Sequence, residues 1–110
     1  MVKDRDELMG ICMDVGHTVR INVDPIDAIR KCARRLYDFH LKDVSAANPR
    51  GSNVPLGRGV IDIVGVLKAL LKVKFNYHLA LEYEAEAKAP MPGILESYGY
   101  VRGVLAGLTA

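Results

Sequence analysis

The chain has 110 residues and a mass of 12.1 kDa; half of it is apolar, a quarter is charged, and the formal net charge is +2. That length supports one domain with a buried core. The charges are interspersed, which argues against a nucleic-acid stripe or a polybasic membrane patch, and no run of about 18 apolar residues offers a transmembrane helix.

Residues 1–8 are charged where a secretory signal would be apolar, and they read as a leader or the frayed end of a helix of a cytoplasmic protein. The two cysteines, Cys12 and Cys32, read as buried reduced thiols and not as a disulfide or metal pair. Gly10-Ile11-Cys12-Met13-Asp14 is a strand by its apolar character and its polar end. Val15–Arg20 follows as a loop. Asp24-Pro25 opens a helix, with an acid at the cap and proline at the first helical position. Its apolar stripe is Ile26, Ile29, Cys32 and Ala33.

The segment Arg35–Asp43 is the most informative. Tyr37, Phe39 and Leu41 alternate with Asp38, His40 and Lys42, a period of two that marks a strand. Residues 44–60 form a long loop with Pro49, Gly51, Pro55, Gly57 and Gly59; loops of that length in compact domains are usually functional. Asp62 caps a helix striped by Val64, Leu67, Leu70 and Leu71. His78–Glu82 is the third strand, a polar connection runs from Glu84 to Pro92, and a last helix carries Ile94, Tyr98, Val101, Leu105 and Leu108.

Three βα units in series predict an α/β fold with a parallel sheet and right-handed crossovers. In such folds ligands bind at the carboxyl ends of the strands. Asp14, His40 and Glu82 stand at those ends in the same side-chain phase, sharing a face with Cys12, Asp38 and Ala80. An acid, an imidazole and an acid on one rim outline a metal site. Three parallel strands leave two open edges and one uncovered face. The sheet is therefore expected to be a partial (β/α) barrel, completed by self-association, strand exchange or a complementing barrel half.

Four motifs in order, Asp14-Val15-Gly16-His17, Phe39-His40-Leu41-Lys42-Asp43, Leu56-Gly57-Arg58-Gly59-Val60-Ile61-Asp62 and Leu81-Glu82-Tyr83-Glu84, make the chain resemble the sugar phosphate isomerase/epimerase family of the xylose-isomerase-like TIM-barrel superfamily. The resemblance covers about residues 8–108 and matches the last three βα units, so residues 1–110 form a single domain that is a C-terminal fragment of the barrel. It implies a divalent cation (Mn, Mg or Co, with Zn possible) held by Asp14, His40 and Glu82, with a further glutamate on a strand before residue 1. It implies that Glu82 also serves as acid/base, that His17 contacts substrate hydroxyls, and that the substrate is a sugar or sugar phosphate. The cation would polarise a carbonyl and its neighbouring hydroxyl while a carboxylate removes the α-proton, giving an enediolate. An inosose-type dehydratase, working through the same enolate, and a non-catalytic fragment that folds by self-association are the alternatives.

Each residue also has a plainer role to offer. His40 could be satisfied by Asp38, Asp14 could cap the turn at Gly16-His17, and Glu82 could be a solvated loop acid. His17 could be a mobile loop residue. His78, at the far end of its strand, reads as structural. Arg50 and Arg58 flank the long loop, where Arg58 is a candidate for a substrate phosphate. Lys42 and Asp43 read as a strand-end pair supporting the rim. Apurinic-site endonucleases share the barrel but need an Asp and a His where this chain has Gly51 and Asn53, which excludes their trinuclear zinc chemistry.

Overall fold

In the computed structural model, which describes residues 2–110, the elements run β1 (Ile11–Asp14), α1 (Val15–Arg20), α2 (Pro25–Cys32), β2 (Leu36–Leu41), β3 (Asp43–Val44), β4 (Asn53–Val54), α3 (Ile63–Lys72), β5 (His78–Leu81) and α4 (Met91–Leu108). β1, β2 and β5 form a parallel sheet in the order β1-β2-β5, with Cys12 opposite Asp38, Asp14 opposite His40, and His40 opposite Ala80. β3 and β4 pair separately as a short antiparallel ribbon. Among the described residues the sheet does not close.

Alternation places Met13, Phe39 and Leu41 against the helices, where they are almost fully buried together with Ile29 of α2 and Val66, Leu67 and Leu70 of α3. Each such side chain contributes roughly 1.5–3 kcal/mol of burial. Among the described residues no helix covers the other face of the sheet, which carries Cys12, Asp14, Asp38, His40 and Ala80, and Cys12 is exposed. That corrects its assignment as a buried thiol: the face that would be a barrel lumen is open here.

The caps follow the sequence. Asp24 accepts the Ile26 amide at the start of α2, and Asp62 accepts the Gly65 amide at the start of α3. Two apolar stripes are rotated from expectation. In α3 the buried positions are Ile63, Val66, Leu67, Ala69 and Leu70, while Leu71 is exposed. In α4 Tyr98 is exposed; Gly93 and Ser97 are buried, and Tyr100 and Val104 join Val101, Leu105 and Leu108 against the core. Both helices are apolar on most sides, so spacing alone does not select the face.

Val15–Arg20 is a short helix, not a loop. Of the segment 1–8, residue 1 lies outside the described residues; residues 2–10 form turns and no helix. Arg35 holds these turns by donating to the carbonyls of Arg5, Asp6 and Met9. Among the described residues, no helix is long and apolar enough to cross a membrane.

Candidate metal centre

β2 brings His40 to the open face, and its two ring nitrogens look in different directions. Nδ1 lies 3.9 Å from Asp14 Oδ2 and 3.4 Å from Glu82 Oε1. Asp14 and Glu82 thus both approach His40 at the carboxyl ends of the three parallel strands. Glu82 is just past β5, and its amide still donates to the Leu41 carbonyl, which fixes its place on the rim.

The two oxygens of Asp14 point to different partners. Oδ1 accepts the His17 amide at 3.0 Å and caps α1; Oδ2 faces His40 and Lys42. The cap turns the chain so that the His17 side chain, well exposed, comes within 3.9 Å of Asp14. His78 opens β5 opposite Asp38, at the end of the sheet away from Glu82.

Lys42 and Asp43 do not pair with each other; alternation sends them apart. Lys42 is buried, its ammonium 3.3 Å from Asp14 Oδ2 and 2.5 Å from Glu84 Oε1. Its stem crosses Gly16, where a Cβ would stand 2.7 Å from Lys42 Cδ. Burial opposes its charge, but the bond with Glu84 and the field of Asp14 outweigh it and raise the ammonium above its ordinary pKa. Glu84 is lowered in return, chiefly by its bond to Lys42.

Asp43 is fully buried and organises the loop that follows. Oδ1 accepts the amides of Val44 and Ile61, and Oδ2 those of Gly57 and Gly59, at 2.9–3.2 Å. The glycines are required there: Gly57 has φ of +90°, and a Cβ on Gly59 would lie 2.2 Å from Asp43 Oδ1. Asn53 ties the ribbon to the rim, donating to the Asp43 carbonyl and accepting the Glu84 amide. Sequence reading missed this part of Asn53, since only its contacts reveal it. Arg58 is forked onto Glu96 of α4 through Nε and Nη2.

A hard cation suits the donors on the Nδ1 side. Octahedral ligands at about 2.0–2.1 Å stand about 3 Å apart; Asp14 and Glu82 each approach His40 Nδ1, but the three ligand atoms do not gather within 4.8 Å of one another, so a cation there would have to draw the carboxylates in. Water or substrate oxygens would complete the shell.

A second set of donors surrounds Nε2. Cys12, Asp38 and His40 offer ligand atoms that all lie within 4.8 Å of one another. Loss of water around Sγ, then the charge and hydrogen bond of Asp38, then the charges of Asp14 and Glu82, raise the Cys12 thiol above its ordinary pKa.

Residues 1–103 match the family model described as xylose isomerase-like TIM barrel. Inosose dehydratase of Geobacillus kaustophilus (strain HTA426) is 26% identical over 110 aligned positions, covering 86% of this chain and 34% of the relative. A D-tagatose 3-epimerase-like protein superposes with a TM-score of 0.82 at 20% identity, covering 98% of this chain and 39% of its own. A xylose isomerase domain protein from Planctomyces limnophilus gives 0.70 at 22% identity, covering 86% and 35%. The chain thus spans between a third and two fifths of these three relatives, and the two structures show the shared fold.

Proposed function

This chain belongs to the xylose isomerase-like TIM barrel family, and we propose that it supplies the metal-binding part of a divalent-metal-dependent sugar or sugar-phosphate isomerase or epimerase. The observation that carries this reading is the convergence on His40 Nδ1 of Asp14 and Glu82, each from a different parallel strand. Asp14, His40 and Glu82 would hold Mn, Mg or Co. When bound, that cation would polarise a substrate carbonyl and the adjacent hydroxyl.

The chain's own residues do the rest. Glu82 turns one oxygen toward His40, which leaves the other to take an α-proton and return it to the neighbouring carbon. His17, exposed beside Asp14, orients a substrate hydroxyl. Arg58 has only its Nη1 side left for a substrate phosphate, because Glu96 takes Nε and Nη2. Lys42 holds Asp14 in place. A closed barrel of the family's kind has about eight βα units, so turnover requires the remaining units to enclose this face. The proposal includes their supply by a second copy or a complementing barrel half.

The test is cation binding. Manganese added to the purified chain is expected to bind at one equivalent by paramagnetic resonance, and Asp14→Asn and Glu82→Gln each to weaken it at least about tenfold. No stoichiometric binding by the wild type would leave a self-associating fragment without a site. A second reading, dehydration of an inosose-type substrate, is supported by the Geobacillus relative. It uses the same proton removal and then expels a β-hydroxyl as water. In the completed barrel, product mass separates the two, since isomerisation conserves it and dehydration does not.

A further inference from the structure

The three donors around His40 Nε2 form a triangle whose sides are all 3.6 Å: Cys12 Sγ to His40 Nε2, Cys12 Sγ to Asp38 Oδ2, and His40 Nε2 to Asp38 Oδ2. The Cys12 thiol is within the longer hydrogen-bond reach of sulfur to both partners, but hydrogen bonding does not account for the third side. An imidazole N–H bonded to a carboxylate would bring nitrogen and oxygen to about 2.7–3.2 Å, and 3.6 Å is outside that range. The spacing is that of ligands around one ion. Tetrahedral zinc, with bonds of about 2.3 Å to sulfur and about 2.0–2.2 Å to nitrogen and oxygen, separates its donors by about 3.3–3.6 Å. We propose that Cys12, Asp38 and His40 form a zinc-type site, distinct from the hard-cation centre on the Nδ1 side of the same ring.

The fold holds this triangle in register. Cys12 and Asp38 are paired across β1 and β2, and His40 is the next residue on that face of β2. Cys12 is exposed, so the fourth position opens to water. Thiolate, imidazole and carboxylate form a donor set that favours zinc or cobalt over magnesium or manganese. Binding displaces the thiol proton to solvent and forms the metal–sulfur bond; no electron is transferred. With Nε2 bound, the ring proton would sit on Nδ1, with the Glu82 and Asp14 carboxylates 3.4 and 3.9 Å away. A neutral imidazole has one free lone pair, so the two centres compete for His40. Only this competition rests on the function proposed above.

Cobalt(II) titration of the reduced chain tests the site. We expect one equivalent to bind with a near-ultraviolet sulfur-to-cobalt charge-transfer band, and zinc to bleach it. Cys12→Ala should abolish the band, Cys32→Ala should keep it, and Asp38→Asn should weaken zinc binding by more than the about 10–100-fold typical of an outer partner. Circular dichroism checks that Cys12→Ala and Asp38→Asn remain folded; should Asp38→Asn unfold, the two cysteine variants decide. Absence of the band in reduced wild type, its loss in Cys32→Ala, or its survival in Cys12→Ala would overturn the proposal. Asp14→Asn and Glu82→Gln should retain the band while losing manganese, so either centre can fail alone.

Discussion

Lys42 Nζ sits 3.3 Å from Asp14 Oδ2, so a buried ammonium is placed against the carboxylate that would serve a cation. The lysine holds Asp14 in place, but it also repels whatever cation Asp14 would bind. Lys42→Met preserves most of the stem and removes the charge. Two charges about 4 Å apart interact by about 1–4 kcal/mol between water and a protein surface, so the variant should bind manganese about tenfold more tightly or better. It should also lose about 1–3 kcal/mol of stability, which on a domain of this size is about 4–8 °C in Tm per kcal/mol. Calorimetric titration and thermal melts read the two effects separately. Weaker manganese binding by a folded variant would show that Lys42 mainly positions Asp14.

Asp43 concentrates more structural consequence in one side chain than any rim residue. Each of its oxygens accepts two backbone amides, and those amides belong to the loop from Gly57 to Ile61 and to Val44. Asp43→Asn keeps one accepting oxygen and turns an NH2 group toward two donors. We expect a loss of about 2–4 kcal/mol, as for a buried charge-assisted network broken on one side. Denaturant titration checks it. A midpoint within error of wild type would mean that the loop is held elsewhere, for example by Ser97, which accepts the Leu56 amide.

The rim was legible because strand phase is strict: period two fixes the face of Asp14, His40 and Glu82 within each strand, and the parallel register then brings those faces to one side. The caps at Asp24 and Asp62 were legible because a short acid before an apolar run has a local cause. What sequence left hidden depends on contacts between distant segments. α1 combines Gly16 with Thr18 and Val19, poor helix formers, and exists because Asp14 caps it and Lys42 packs across Gly16. The β3–β4 ribbon is only two residues on each side, too short to show a period. Gly93 is buried because Tyr83 lies where a Cβ would go, and no helical stripe encodes that. Cys12 and Asp38 were visible as neighbours in phase, but their equal spacing from Nε2 needed coordinates.

The open sheet makes a prediction about assembly. β1 and β5 each pair on one side with β2, and among the described residues neither has a partner on the other. Leu8, Met9 and Tyr77 are also more than half exposed. Unpaired parallel edges and uncovered faces favour association. Light scattering on the chain over a range of concentrations is expected to give a mass above 12.1 kDa that falls on dilution. A well-folded monomer throughout would remove the edge argument.

Acid should act on the rim through Glu84 and alkali through Lys42. Glu84 is depressed, so its contribution is present above the ordinary carboxylate pKa and is lost as pH falls through its lower folded value. Lys42 is raised, so its contribution is present below the ordinary lysine pKa and is lost as pH rises through its higher folded value. Between those limits the pair is intact and the stability profile should be flat in this respect. Glu84→Gln removes the depressed carboxylate while leaving Asp14 beside Lys42, so the acid limb should become shallower and the alkaline limb should persist, reduced. Lys42→Met should flatten both. Denaturant midpoints measured across pH for the three proteins check the signs, and a Glu84→Gln curve that runs parallel to wild type through the acid range would show that the bond contributes nothing to folding.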